Sequence, residues 1–166
     1  QITADEARTL VEMIDQAGIE AWGYFVLGLP GDTRQTMRRT MDFALRIPLK
    51  MAKFDTGAPY PGTEFHDYCV EHGYLRVERF EEFDQNASAV VEYPHLSRKE
   101  IRRAVWLANL KFIMRPHILK RILREIRDVH YVESLMHIAV DQARMLSGVS
   151  SSKLVGRIWN RMKRNR

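Results

Sequence analysis

The stretch that decides the fold is IEAWGYFVLGLPGDT, residues 19–33. Its centre is a nearly continuous apolar and aromatic run, which is typical of a strand buried on both faces of a parallel sheet. The letters LPGDT then break the run and supply residues that begin a helix. We therefore predict a strand over 19–28, a tight loop, and a helix over 34–46.

Further helices and a second strand flank this stretch. Upstream, a capping box of Thr3 and Glu6 precedes apolar residues at helical spacing, which predicts a helix over 4–17. Downstream, residues 51–56 are typical of a second strand, and a short helix follows from Thr63. The alternation of helix and strand predicts an α/β fold with a parallel sheet and crossover helices.

The second half of the chain is predicted to be helical. Residues 76–95 form an irregular connector with an acidic cluster, and a capping box of Ser97 and Glu100 then begins a helix. A new helix starts at Pro116. The predicted helices of this half cover residues 98–114, the segment from 116, and about 131–146 and 151–164.

Composition narrows the possible classes of protein. The chain has 166 residues, 45% of them apolar, and a formal net charge of +5, which is typical of a globular domain. No apolar run is long enough to span a membrane, and we expect no signal peptide. The lone cysteine, Cys69, excludes an internal disulfide framework and a multi-cysteine metal site, and we expect it in the core. A cytoplasmic location is compatible with this composition.

The charge is divided unequally along the chain. Residues 1–97 hold 9 basic and 16 acidic side chains, whereas residues 98–166 hold 17 basic and 5 acidic ones. A basic segment of this kind meets phosphates of lipid or nucleic acid, or simply forms a solvated helical face. The basic amphipathic tail, residues 150–164, fits a helix on an anionic membrane surface, and equally a helix docked on its own protein.

Two strings carry the candidate chemistry: GYFVLGLPGDT, residues 23–33, and APYPGTE, residues 58–64. Each is a glycine- and proline-rich loop that leaves the carboxyl end of a predicted strand, where ligands bind in parallel α/β folds. Gly28 and Gly31 allow a backbone to approach a ligand closely. The alternative is that the strings are two tight turns without a ligand.

Taken in this order, the two strings resemble the late part of a radical S-adenosylmethionine (SAM) enzyme barrel. The resemblance is to the cobalamin-binding class, which includes methyltransferases and proteins like the anaerobic magnesium-protoporphyrin IX monomethyl ester cyclase. Here Asp32 stands where the class usually has Glu. The resemblance implies that residues 1–75 are the last strands and helices of a partial (β/α) TIM-type barrel. An irregular connector, 76–96, and an all-helical basic extension, 97–166, would follow.

The class uses a [4Fe–4S] cluster on a Cys-x3-Cys-x2-Cys loop to cleave SAM to a 5′-deoxyadenosyl radical, often with cobalamin. The resemblance implies that the end of the first strand lies against the adenine and that the second loop borders the same site. Tyr60 would face a small-molecule or lipid-like substrate, and a reductase would supply electrons. The implied cofactor-binding residues are Val26, Leu27, Gly28, Pro30, Gly31, Phe54 and Pro59.

The chain also departs from the class. It has no Cys-x3-Cys-x2-Cys loop, and its six histidines lack the spacing of a metal site, so we expect no metal ligand and no catalytic residue within it. It begins with Gln1, and two strands do not form a stable sheet. We therefore expect a fragment, inactive alone, of an enzyme for radical methylation or cyclisation.

Two alternatives stay open. The first is a methylthiotransferase-type fragment of the same superfamily, although such proteins usually end in a small β-barrel. The second is a non-catalytic basic helical module that binds anionic lipid or, less favoured, nucleic acid. It is suggested by the basic second half and leaves the two strand-end loops unexplained.

Overall fold

The computed structural model of the chain describes residues 2–77 and 89–125. The predicted helices at 131–146 and 151–164, the basic tail and the acidic cluster at residues 78–84 lie outside these residues. None of the described helices is long and apolar enough to cross a membrane. The elements are α1 (Ala4–Gln16), β1 (Trp22–Leu27), α2 (Arg34–Arg46), β2 (Met51–Thr56), α3 (Glu64–Glu71), α4 (Arg98–Ile113) and α5 (Pro116–Glu125).

The helix starts follow the predicted caps. Thr3 and Glu6 form the capping box of α1, and Ser97 and Glu100 form that of α4. The Thr63 hydroxyl accepts a hydrogen bond from the third residue of its helix, as predicted for α3. Because such caps are made by residues three apart in sequence, they can be recognised without any knowledge of the tertiary structure.

The sheet has two parallel strands, paired from Trp22–Met51 to Leu27–Thr56. β1 is therefore shorter than the predicted 19–28, because pairing with β2 sets both of its ends. Side chains alternate between the two faces of a strand. On the covered face, Phe25 stacks on Phe54 with ring centroids 4.9 Å apart.

The second face of the sheet is open among the described residues. Trp22, Tyr24 and Val26 are 58%, 69% and 47% exposed, whereas Leu27 on the other face is 1% exposed. The prediction of a strand buried on both faces is wrong for the described residues, because their helices cover only one side. We call the side of the sheet that carries Trp22, Tyr24 and Val26 the open face.

Helices α2 and α4 form the layer over the covered face. α4 contacts β2 extensively and also packs against α2. Buried side chains from both helices, including Met37, Ala44, Ile101 and Val105, join Phe54 in one core. The described fold is thus mixed α/β, and α4 belongs to the same core as the sheet. The divisions at residues 75 and 96 stay a prediction.

One side chain closes the outer edge of β2. Asn109 of α4 accepts a hydrogen bond from the Phe54 backbone N–H at 3.1 Å and donates one to the Phe54 carbonyl at 2.9 Å. These are the two groups that a neighbouring strand would otherwise bind. Asn109 is 7% exposed, so the amide replaces strand pairing in a nearly dry environment.

We predict that Asn109→Ala lowers the free energy of unfolding by about 2–4 kcal/mol, because it leaves two backbone groups of Phe54 buried without partners. Urea denaturation of the chain measures the effect. Gln35→Ala, at an exposed position on α2, is the control and is expected to stay within about 0.5 kcal/mol of wild type. Equal losses in the two variants would contradict this role for Asn109.

We predict that the Cys69 thiol is unreactive in the folded chain. The residue is fully buried, and burial raises the pKa of its thiol to about 11, so little thiolate exists near pH 8. Labelling with iodoacetamide should be slow in buffer and fast in denaturing urea. Rapid labelling of the native chain would show that α3 does not pack as described.

Candidate functional site

The candidate site is the carboxyl edge of the sheet, where the two predicted loops leave β1 and β2. The Gly57 N–H donates to the Leu27 carbonyl at 2.8 Å and carries the strand pairing into the loops. A Cβ on Gly57 would lie 3.1 Å from Leu29 Cδ2 and 3.3 Å from the Gly28 carbonyl oxygen. The structure therefore packs the two loops directly against one another, and glycine permits the close approach.

The first loop, residues 28–33, is held by the Asp32 carboxylate. One oxygen accepts the N–H groups of Gly28 at 2.9 Å and Leu29 at 3.1 Å, and the other accepts the Thr36 hydroxyl at 2.7 Å. Gly28 has a φ of +81°, which favours glycine. A Cβ there would also lie 2.8 Å from Ile101 Cγ2, so the loop rests tightly on α4.

Two aromatic side chains from the connector hold the same loop. The Tyr93 hydroxyl donates to the Gly28 carbonyl at 3.0 Å, and His95 Nε2 donates to the Asp32 carbonyl at 2.9 Å. Burial raises the pKa of Tyr93 well above its usual range, so the hydroxyl remains a donor. Neither residue is predicted from the sequence, because both lie in a stretch without periodicity and 63–65 residues from their partners. Both rings line a cavity of about 620 Å³ beside the loop.

The second loop, residues 57–63, ends at the cap of α3. The Thr63 hydroxyl donates to the Tyr60 carbonyl at 2.7 Å and accepts the His66 N–H at 3.2 Å. Gly62 has a φ of +88° and completes the turn. These bonds fix the backbone at Tyr60, whose side chain is 36% exposed.

The predicted site residues fall into two groups. Val26 lies on the open face, and Pro30, Gly31 and Tyr60 are exposed at the loops. The second group is buried and consists of Leu27, Gly28, Phe54 and Pro59.

The buried group has few atoms left for a ligand. The N–H and carbonyl of Gly28 are bound by Asp32 and Tyr93, and those of Phe54 are bound by Asn109. A ligand at this edge would therefore meet the first group, and the roles of the second group toward a ligand stay predictions.

The open face adds residues that the sequence analysis did not single out. Trp22 and Tyr24 precede Val26 on β1, and Lys53 and Asp55 share their face on β2, with Lys53 Nζ 3.4 Å from Asp55 Oδ1. Lys53 and Asp55 lie two residues apart in the sequence, and this spacing could have indicated the open face. Charged residues two apart in a strand mark a face that is not part of a dry core. This face offers aromatic surface beside an ion pair.

Comparison with known proteins gives a distant relative. No family model matches the chain. The chain is similar to the uncharacterized methyltransferase PH0819 of Pyrococcus horikoshii, with 25% identity over 142 residues. The match covers 78% of the chain but 31% of the relative, so the chain spans about a third of the length of this curated protein.

We predict that Asp32→Ala loosens the first loop. Removal of three acceptor contacts should lower the free energy of unfolding by about 1–3 kcal/mol and speed amide hydrogen exchange at Gly28 and Leu29. Asp15→Ala, an exposed change on α1, is the control. Unchanged exchange at both amides in Asp32→Ala would contradict the proposed role of the carboxylate.

Proposed function

We propose that the chain is the carboxyl-terminal part of a SAM-dependent enzyme that methylates or cyclises its substrate by radical chemistry, in the cobalamin-binding class. The observation that carries the proposal is the juxtaposition of the open aromatic face with two strand-end loops packed together at one edge. The similarity to a protein named a methyltransferase supports methylation. The radical subclass rests on the two loop strings alone.

The two edges of the sheet fit a partial barrel that ends at β2. Asn109 occupies the outer edge of β2 at Phe54, whereas none of the described residues forms a strand beside β1. Further strands of a longer protein would therefore add at β1. The open face would then turn toward the barrel interior, and the loops would lie at the end where barrel enzymes bind their ligands.

Three of the implied cofactor-binding residues, Val26, Pro30 and Gly31, are exposed and available to a cofactor. Val26 and Tyr24 offer apolar and aromatic contact to an adenine, and the exposed loop residues Pro30, Gly31 and Tyr60 border the same edge. SAM would supply the methyl group or the radical when bound, and this chain would supply contact surface and water exclusion.

The iron–sulfur cluster does not fit the described residues. These contain no group of three or more His, Cys, Asp or Glu side chains arranged to hold a metal ion, and the Cys69 thiol is buried. We therefore assign cluster binding, cobalamin binding and the contact with a reductase to other parts of the proposed longer protein. The substrate we propose is a small or lipid-like molecule that reaches the edge near Tyr60.

The test uses the proposed longer protein, purified without oxygen and reconstituted with iron, sulfide and cobalamin. We predict that it forms 5′-deoxyadenosine from SAM in the presence of a reductant. Val26→Arg should lower the rate at least about 10-fold, because it places a charge on the interior face beside the adenine. Val70→Arg on α3 is the matched control, since Val70 is 54% exposed and Val26 is 47% exposed.

The outcomes separate the alternatives. Methyl transfer without formation of 5′-deoxyadenosine would support the proposed methylation activity and reject the radical subclass. Thiomethylated RNA as the product would support the methylthiotransferase alternative. Equal rates in Val26→Arg and Val70→Arg would reject the interior placement of the open face.

A further inference from the structure

The outer helical layer carries a concentration of positive charge. Helices α2 and α4 together hold nine Lys and Arg side chains against two acidic ones, Asp42 and Glu100. These helices cover the sheet on the side opposite to the open face. The layer is therefore separate from the site proposed above.

A groove of about 430 Å³ runs between the two helices in this layer. Its floor is apolar, with Met37 and Met41 at 3% and 9% exposure beside the half-buried Ala104 and Leu107. Methionine side chains adapt to apolar ligands of varied shape. The charged residues at its rim are Arg34, Arg38, Glu100, Arg103 and Lys111.

Only part of the positive charge at the rim is compensated. Arg34 binds the Glu100 carboxylate, and this bond holds the pKa of Glu100 at about 2, so the pair stays ionised at neutral pH. Among the described residues, no carboxylate pairs with the remaining cations, which are Arg38, Arg103 and Lys111. Three uncompensated cations beside an apolar floor complement an amphiphilic anion.

We propose that this groove binds an anionic phospholipid of a membrane surface. The phosphate would meet Arg38, Arg103 and Lys111, and the first acyl carbons would lie over the methionines. A single-stranded nucleic acid fits less well, because none of the described residues that line the groove is aromatic and able to stack on a base. The inference does not depend on the proposed enzymatic function.

The test is cosedimentation of the full chain with vesicles of phosphatidylglycerol and phosphatidylcholine in equal parts. We predict that Arg38→Glu with Arg103→Glu lowers the partition coefficient at least about 10-fold. The matched control, Arg39→Glu with Arg46→Glu, makes the same change in net charge at exposed positions of α2 outside the groove, and should lower it about 3-fold or less. Circular dichroism checks that both variants are folded.

A competition experiment tests the apolar floor. Dihexanoyl phosphatidylglycerol should release the chain from vesicles, whereas the same concentration of inorganic phosphate should not. Equal losses in the two double variants, no loss in either, or equal competition by phosphate would overturn the proposal. Tighter binding to a duplex RNA oligonucleotide, lost in the groove variant, would also overturn it and favour nucleic acid.

Discussion

The fold depends on the two hydrogen bonds between the Asn109 side chain and the Phe54 backbone. They attach α4 to the outer edge of β2 and satisfy groups that would otherwise be buried without partners. They also leave β1 as the edge at which the sheet can be extended. Because Phe54 stacks on Phe25 beneath the helical layer, the same contact fixes which face is covered and which stays open.

Sequence reasoning recovered the local features of this fold and missed its long-range contacts. The caps at Thr3, Thr63 and Ser97 and the strand over 51–56 depend on neighbours a few residues away, so their patterns are readable. Asn109 reads as a polar residue within a helix, and nothing in its neighbourhood indicates a partner 55 residues earlier. The exposure of one face of β1 was missed because Trp22 and Tyr24 are largely apolar. Such residues suit a strand whether that face is buried or open.

The candidate site shows the same difference between local features, which could be predicted, and long-range contacts, which could not. Glycine and proline mark both strand-end loops, so their positions could be predicted. The atoms that remain available to a ligand could not be predicted, because the Gly28 carbonyl is bound by Tyr93 and the Gly28 N–H is bound by Asp32. Gly28 and Gly57 therefore serve close packing of the protein on itself, at Ile101 and Leu29, and a ligand at this edge would meet the exposed residues instead.

The fold also rearranges the charge asymmetry seen in the sequence. The net positive charge lies in residues 98–166, yet α2 belongs to the acidic segment, residues 1–97, and brings four arginines beside α4. One helical layer thereby collects cations from both halves, while the sheet presents aromatic side chains on the opposite side. Among the described residues, an open aromatic face and a partly uncompensated basic face suit two different environments. The first suits the interior of a larger protein, and the second suits a phosphate-rich surface.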